Sequence, residues 1–139
     1  YRNVAHLNAD DIPHYADSQC VVIVRESFYS PVDENIETQF AGWIRRYAQR
    51  LQQDYVLTGN THVQKTARMN AVNPKYVLRN YLAQQAIDKA TAGDYSEVEK
   101  LLDILRKPYD EQPEHQDYFA KRPEWARNKA GCSMLSCSS

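Results

Sequence analysis

The strongest pattern along the chain is a run of apolar residues between Ile36 and Tyr55 that recur at intervals of three and four positions. This spacing places them on one face of an α-helix, while basic and amide side chains fill much of the remaining surface. The Thr-Gly-Asn triplet at 58–60 marks the end of the segment. The pattern therefore predicts an amphipathic helix, followed by a short helix from Thr61 to Asn70. The apolar face consists of Ile36, Phe40, Trp43, Ile44, Tyr47, Ala48 and Leu51.

An earlier segment, "SQCVVIVRESFYS" at 18–30, is compatible with two structures. Its β-branched residues favour a strand, whereas Val21, Val24 and Phe28 also fall on one face of a helix. We prefer the helix because no other segment offers an obvious partner strand. "SPVDEN" at 30–35 then interrupts the regular structure.

Clear start and stop signals enclose a central segment. Asn73 is a good helix N-cap, and Pro74 suits the first helical position, where its missing N–H costs nothing. Gly93 supplies a left-handed stop. The sequence therefore predicts a helix over about 74–92.

A second helix is predicted directly after this stop. Asp94 is a candidate N-cap, and Glu97 follows it at the spacing of a capping box. Apolar residues recur as far as Leu105, and Pro108 closes the segment, which predicts a helix over about 95–107. Two helices joined by so short a turn form an antiparallel hairpin, so the predicted fold class is all-α.

The composition changes after Pro108. The remaining segment is rich in proline and large aromatic residues and shows little periodicity, which predicts an extended tail laid over a neighbouring surface. Short helical turns are expected near 116–121 and 123–129. Most of 108–126 is expected to be ordered.

Two basic residues, Lys75 and Arg79, fall within the apolar side of the predicted central helix. In one interpretation, Arg79 buries its methylenes and extends its guanidinium to water or to a carboxylate. In the other, it pairs with a carboxylate or carbonyl of a domain packed across this face, because a buried unpaired arginine is strongly destabilising. Both residues are therefore candidates for an interdomain contact.

Charge and composition argue against several classes of function. With 17 Lys and Arg against 18 Asp and Glu, the net charge of −1 gives no electrostatic basis for binding nucleic acid or an anionic membrane. No apolar run approaches the roughly 20 residues needed to span a bilayer. The three cysteines make no disulfide framework, so a reducing cytoplasm is the expected compartment.

No motif for catalysis, cofactor binding or metal binding stands out. The chain has no Gly-rich loop followed by Lys, and its cysteines and histidines lack the spacing of a zinc site. Acidic pairs such as Asp10-Asp11 lie in polar, turn-like stretches and are expected to be solvated. The residues alone therefore predict a helical packing or binding module, with no catalytic, cofactor or metal residues.

The chain begins with Tyr1 rather than Met, and we expect it to be a piece of a longer protein. Its predicted organisation is one helical domain fragment in three parts. These are a linking segment (1–35), a helical core (36–107) and a tail (108–139).

One long stretch carries a family resemblance. Residues 69–113, "MNAVNPKYVLRNYLAQQAIDKATAGDYSEVEKLLDILRKPYDEQP", closely resemble the carboxy-terminal region of the selenoprotein O family, also called the YdiU family. The similarity continues in "KRPEWA" at 121–126 and in "SCSS" at 136–139. Upstream, "FYSPVD" and "WIRRYAQRL" resemble the segment that precedes this region.

The resemblance implies a protein-kinase-like fold for the whole family protein. It also implies protein adenylyltransferase activity, in which AMP passes from ATP to hydroxyl side chains of other proteins with a divalent metal. ATP and Mg²⁺ or Mn²⁺ are thus expected for the parent chain and not for this piece, because no position here matches the family's nucleotide, metal or catalytic motifs. The implied partners are the upstream kinase-like domain and the protein substrates.

The resemblance assigns a family feature to one residue of this chain, Cys137. At the corresponding position some members of the family carry selenocysteine. The resemblance implies a redox link between this terminal thiol and a thiol in the kinase-like core. The alternative is an ordinary exposed thiol, and Cys132 is a nearby competing partner.

Two hypotheses follow for the chain as a whole. In the first, it is an accessory helical region that braces the kinase-like core and presents a redox-active tail. In the second, it is a free-standing adaptor without catalytic activity that recruits other proteins through the 73–107 hairpin.

Overall fold

The computed structural model describes residues 2–132, in which all regular secondary structure is helical and no strand occurs. The prediction of an all-α fold is therefore confirmed. The ambiguous segment at 18–30 carries an α-helix, Asp17–Val22, and a 3-10 helix, Arg25–Ser27. Within the described range, no helix is both long enough and apolar enough to cross a membrane.

The α-helices in chain order are α1 (Arg2–Ala5), α2 (Asp17–Val22), α3 (Glu34–Thr58), α4 (His62–Val72), α5 (Asn80–Thr91) and α6 (Ser96–Arg106). The 3-10 helices lie at Ile12–His14, Arg25–Ser27, Pro113–Phe119 and Glu124–Ala126.

Local sequence signals set the ends of α3. The Asp33 carboxylate accepts a hydrogen bond from the backbone N–H of Ile36 at 2.8 Å, which caps the N-terminus. Gly59 follows the last helical residue with φ of +68°, a conformation that favours glycine. The helix contains the whole predicted segment, 36–55, and its buried residues repeat at three- and four-residue intervals. These residues are Ala41, Ile44, Ala48 and Leu51.

The predicted start of the central helix is wrong, because α5 begins at Asn80 and not at Pro74. The backbone N–H groups of Lys75 and Tyr76 both donate to the carbonyl of Pro108, at 2.7 and 3.1 Å. These contacts hold 75–76 against the segment that follows α6, and Arg79 at the N-cap of α5 is extended, with φ of −79° and ψ of 144°, so no helix runs through it from Pro74. Asn73 instead lies at the C-terminus of α4, where its side-chain amide donates to the carbonyl of Met69 at 2.8 Å.

The predicted capping box at the start of α6 is also wrong. Helix α6 begins at Ser96, and the carboxylate of Asp94 accepts the N–H of that residue at 3.0 Å. The side chain of Glu97 points to other partners, Lys89 and Tyr118. The stop signal at Gly93 agrees with the structure, since this glycine has φ of +87° just after α5 ends.

The chain forms two compact units, with the boundary between Asn73 and Pro74. The core of the first unit lies between α2, α3 and the segment around Ile12, and contains Leu7, Ala9, Ile12, Cys20, Ala41, Ile44, Ala48 and Leu51. The core of the second unit contains Tyr81, Leu82, Ala86, Leu101, Ala126 and Cys132, with Tyr118 packed against it.

The second unit includes two helices in contact, α5 and α6, and part of the predicted tail. Tyr118 and Ala126 from this tail pack in the core, whereas Trp125 remains half exposed beside Tyr81. The division of the sequence into linking segment, core and tail stays a prediction about the larger protein.

Candidate functional site

The first cluster of interest surrounds Lys75, in the segment between α4 and α5. Lys75 is only 8% exposed, and its ammonium donates to the backbone carbonyl of Glu111 at 2.5 Å and to the carboxylate of the same residue at 3.0 Å. The rings of Tyr76 and Phe119 lie 5.4 and 5.7 Å from the ammonium nitrogen. The buried charge is therefore compensated by one carboxylate, one carbonyl and two aromatic faces.

Tyr76 completes this cluster from the neighbouring position. Its side chain is almost fully buried, and its hydroxyl lies 2.9 Å from the carbonyl of Glu111 and 2.8 Å from that of Gln112. Gln112 has φ of +37° and donates its side-chain amide to the carbonyls of Ile104 and Lys107 at the end of α6. The segment 108–112 thus satisfies the C-terminus of α6 and holds the chain ahead of α5.

The two residues predicted to make an interdomain contact lie in different surroundings. Lys75 has its ionic partner, Glu111, within the second unit. Arg79 is partly exposed at the N-cap position of α5, and its side chain makes no hydrogen bond or ion pair with any residue of the described part of the chain. The interdomain role of both residues stays a prediction. Cys137, the predicted redox residue, lies outside the described residues.

The second cluster lines a groove of about 450 Å³ between α5, α6 and the tail. Tyr118 donates to one carboxylate oxygen of Glu97 at 2.5 Å, and Lys89 donates to the other at 2.8 Å. The ammonium of Lys100 lies 5.3 Å from the centre of the Tyr118 ring. The groove is lined by Tyr81, Leu82, Gln85, Lys89, Glu97, Lys100, Asp117, Tyr118, Ala120, Lys121 and Pro123.

These contacts shift the protonation equilibria in opposite directions. Hydrogen bonds from Lys89 and Tyr118 lower the pKa of Glu97. Burial, followed by the hydrogen bond to Glu97, raises the pKa of Tyr118. The hydrogen bond to Glu97 also raises the pKa of Lys89. At neutral pH the three groups therefore form a carboxylate held between a phenol and an ammonium, a stabilising arrangement with no proton poised for transfer.

The first unit contains a buried amine that sequence reasoning missed. Lys65 is 4% exposed, and its ammonium donates to the carbonyls of Ala5 and Leu7 at 2.8 and 2.9 Å. Burial lowers the pKa of this amine. The hydroxyl of Thr66 also donates to the carbonyl of Ala5, at 2.7 Å. Lys65 and Thr66 thus tie α4 to the last residue of α1 and, through Leu7, to the segment that follows it.

The partners of these residues could not be paired by sequence spacing. Glu111 lies 36 positions from Lys75, Tyr118 lies 21 from Glu97, and Leu7 lies 58 from Lys65. The one usable signal was the density of tyrosine and phenylalanine in the tail, which predicted packing without naming the partners. Within residues 2–132 no group of three or more His, Cys, Asp or Glu side chains could hold a metal ion, and we assign no metal or nucleotide contact to them.

Comparison with known proteins decides the family. The model of the family described as "Protein adenylyltransferase SelO" matches residues 2–106, which is most of the chain. The chain belongs to this family. The matched range covers all six α-helices and ends at the last residue of α6.

Individual SelO-family relatives agree with this assignment. A protein from Azoarcus sp. (strain BH72), named protein nucleotidyltransferase YdiU, is 56% identical over 116 residues, or 82% of this chain and 21% of that protein. The protein of the same name from Xanthomonas campestris pv. campestris (strain B100) is 51% identical over 84% of this chain and 22% of its own length. The protein of the same name from Nitrosospira multiformis is 47% identical over 95% of this chain and 23% of its own length. The chain thus spans about a fifth of the length of the curated relatives it matches.

Proposed function

We propose that this chain is an accessory helical region of a longer protein adenylyltransferase. A kinase-like portion of that protein transfers AMP from ATP, with Mg²⁺ or Mn²⁺, to hydroxyl side chains of target proteins. The helical region braces that portion. The proposed compartment is the cytoplasm, and the proposed partners are the kinase-like portion of the same protein and its protein substrates, with neither nucleic acid nor membrane among them.

The observation that supports this proposal is the family match together with its extent. Relatives named as nucleotidyltransferases are 47–56% identical to the chain, yet the chain covers only 21–23% of their length. The ionic groups of the second unit agree with a supporting role, since Lys75 and Glu97 are each bound by side chains of the same unit. Paired groups of this kind fix a fold and do not by themselves perform chemistry.

The redox tail forms a separate part of the proposal. Cys137 is proposed to form a disulfide with a thiol of the kinase-like portion, with both protons and two electrons passing to a small-molecule disulfide such as oxidised glutathione. Non-reducing peptide mapping of the oxidised family-length protein tests this step. The expected result is a cross-linked peptide that contains Cys137 and disappears in a Cys137→Ser variant. A Cys132–Cys137 pair would contradict the proposal.

The activity is tested by label transfer from ATP to protein. The family-length protein that carries this sequence and the 139-residue chain are each incubated with ATP labelled at the α- or the γ-phosphate, with Mg²⁺ or Mn²⁺. We expect transfer of the α-label only, by the family-length protein only. Transfer of the γ-label would indicate protein kinase chemistry instead. Absence of both labels, in reduced and in oxidised samples, would favour a non-catalytic adaptor.

A further inference from the structure

Helices α5 and α6 carry the same apolar spacing on one side. Ala83, Ile87 and Ala90 occupy positions i, i+4 and i+7 of α5, and Val98, Leu102 and Leu105 repeat this spacing on α6. At about 100° per residue, each set falls within an arc of roughly 60° on its helix. Each helix therefore presents a stripe of three uncharged side chains, and we call the two stripes together the outer face.

Both stripes lie on the same side of the helix pair. On α5, Tyr81 and Gln85 line the groove toward the tail. Going around the helix from these residues, the core residue Ala86 comes next, and the outer stripe follows it. On α6 the same order runs from Glu97 through the core residue Leu101 to the outer stripe. The tail covers one side of the pair, and the outer face forms the other.

The outer face is poorly covered. Ile87, Val98 and Leu102 are 55%, 43% and 51% exposed, although their neighbours Ala86 and Leu101 are buried. A layer of two helices that is apolar on both sides is typical of an element packed between two others. Contiguous exposed apolar side chains in a folded protein mark a surface that binds another surface.

We propose that the outer face is the surface on which the remaining part of the family-length protein docks, through an apolar patch of its own. This inference rests on the proposed function, in which the chain is one region of a longer protein. About four-fifths of the length of each relative lies outside the matched segment, and the family match includes both helices of the outer face. None of the six side chains is charged, so the complementary surface is apolar rather than ionic.

The size of the face favours this occupant over a second copy of the chain. Positions i to i+7 span about 10 Å along a helix, and packed helices lie about 10 Å apart. Two helices, each about 10 Å wide, thus offer a face on the order of 200 Å², whereas a stable dimer buries about 800 Å² on each partner. A partner within the same polypeptide needs less area, because its effective concentration is high.

The test compares polar substitutions in two contexts, the 139-residue chain and the family-length protein. Leu102→Gln on α6 and Ile87→Gln on α5 introduce a helix-compatible amide at two independent positions of the face. Asp103→Gln is the matched control, because it introduces the same side chain one residue further on, where the native side chain is 73% exposed. Thermal unfolding is measured for each protein at two concentrations.

We expect both face variants to lower the Tm of the family-length protein by about 2–4 °C relative to the control, and to match the control in the 139-residue chain. Equal Tm values for face and control variants of the family-length protein would overturn the proposal, as the face would then contact water. A concentration-dependent loss in the 139-residue chain would indicate a second copy as the occupant. An equal loss there without concentration dependence would mean that these half-exposed side chains stabilise the 139-residue chain itself, and would overturn the proposal.

The label-transfer assay separates this inference from the proposed activity. If the face variants lower the Tm of a family-length protein that transfers no AMP, the docking surface stands and the activity fails. If the wild-type protein transfers AMP and the face variants behave as the control, only the docking surface is overturned.

Discussion

The phenol of Tyr118 donates a 2.5 Å hydrogen bond to the carboxylate of Glu97, joining a 3-10 helix of the tail to the first turn of α6. The second oxygen of this carboxylate accepts a hydrogen bond from Lys89 on α5. One carboxylate thus connects three elements of the second unit. The Glu97 side chain is only 15% exposed, so water competes weakly for its hydrogen bonds.

Tyr118→Phe is expected to destabilise the second unit by about 1 kcal/mol, because it removes one hydrogen bond to a charged acceptor and leaves the ring packing intact. Urea unfolding measures the effect, followed by Trp125 fluorescence in a Trp43→Phe background. Tyr95→Phe is the control, since the Tyr95 side chain is 62% exposed and its hydroxyl has no hydrogen-bond partner among the described residues. Equal stability of the two variants would contradict the structural importance of the Tyr118 hydroxyl.

The same carboxylate makes the stability of the second unit depend on pH. The pKa of Glu97 lies below its ordinary value, so the folded chain binds this proton less tightly than the unfolded chain. Its contribution to the free energy of unfolding is fully present above the unfolded pKa of about 4.3 and is lost as the pH falls through the lower, folded pKa.

Glu97→Gln tests this dependence. We expect the wild-type chain to be more stable than the variant at about pH 6, and the difference to shrink as the pH falls below the unfolded pKa of about 4.3 and Glu97 takes up a proton. Urea unfolding across this pH range gives the difference directly, because the other carboxylates titrate in both proteins. A difference that does not change with pH would show that the Glu97 charge contributes nothing.

Sequence reasoning succeeded where the cause of structure is local. The body of α3 was predicted from a regular apolar spacing, and its end from the triplet that contains Gly59, whereas the Asp33 cap was not predicted. The stop at Gly93 is local in the same sense. Such signals are visible in a single sequence because the interacting groups are separated by only a few residues.

Sequence reasoning failed where a distant segment competes with a local signal. Asn73 and Pro74 have the form of a helix start, but the carbonyl of Pro108 takes the N–H groups of the next two residues. That competition depends on a segment more than thirty positions away and leaves no periodic trace. With the helix start displaced to Asn80, the puzzle of Lys75 on an apolar helix face disappears, because Lys75 lies ahead of the helix.

Lys75→Met is expected to destabilise the second unit by about 1–3 kcal/mol. Methionine retains the apolar contacts but removes the ammonium that donates to the carbonyl and the carboxylate of Glu111, whereas the hydroxyl of Tyr76 still donates to that carbonyl. Trp125 fluorescence during urea unfolding measures the loss, with Lys107→Met as the control because the Lys107 side chain is exposed. If both variants lose the same stability, the Lys75 ammonium is not what holds 75–76 against 108–112.

Lys65→Met provides the corresponding test in the first unit. The substitution deprives the carbonyl of Leu7 of the Lys65 ammonium, whereas the carbonyl of Ala5 keeps its hydrogen bond from Thr66. Burial already disfavours the charged amine, so part of the cost of losing its hydrogen bonds is offset when the charge is removed. We therefore expect a net loss of about 1 kcal/mol, at the low end of the range for an unsatisfied buried acceptor.

Unfolding is followed by Trp43 fluorescence in a Trp125→Phe background, which reports on the first unit. Arg68→Met is the control, because Arg68 is exposed on the same helix and makes no hydrogen bond with the described residues. If the Lys65→Met chain is more stable than wild type, burial of the charge destabilises the fold by more than the two hydrogen bonds of the ammonium stabilise it. In that case packing and the hydrogen bond from Thr66 to Ala5 would hold α4 to the end of α1, and Lys65 would destabilise the fold.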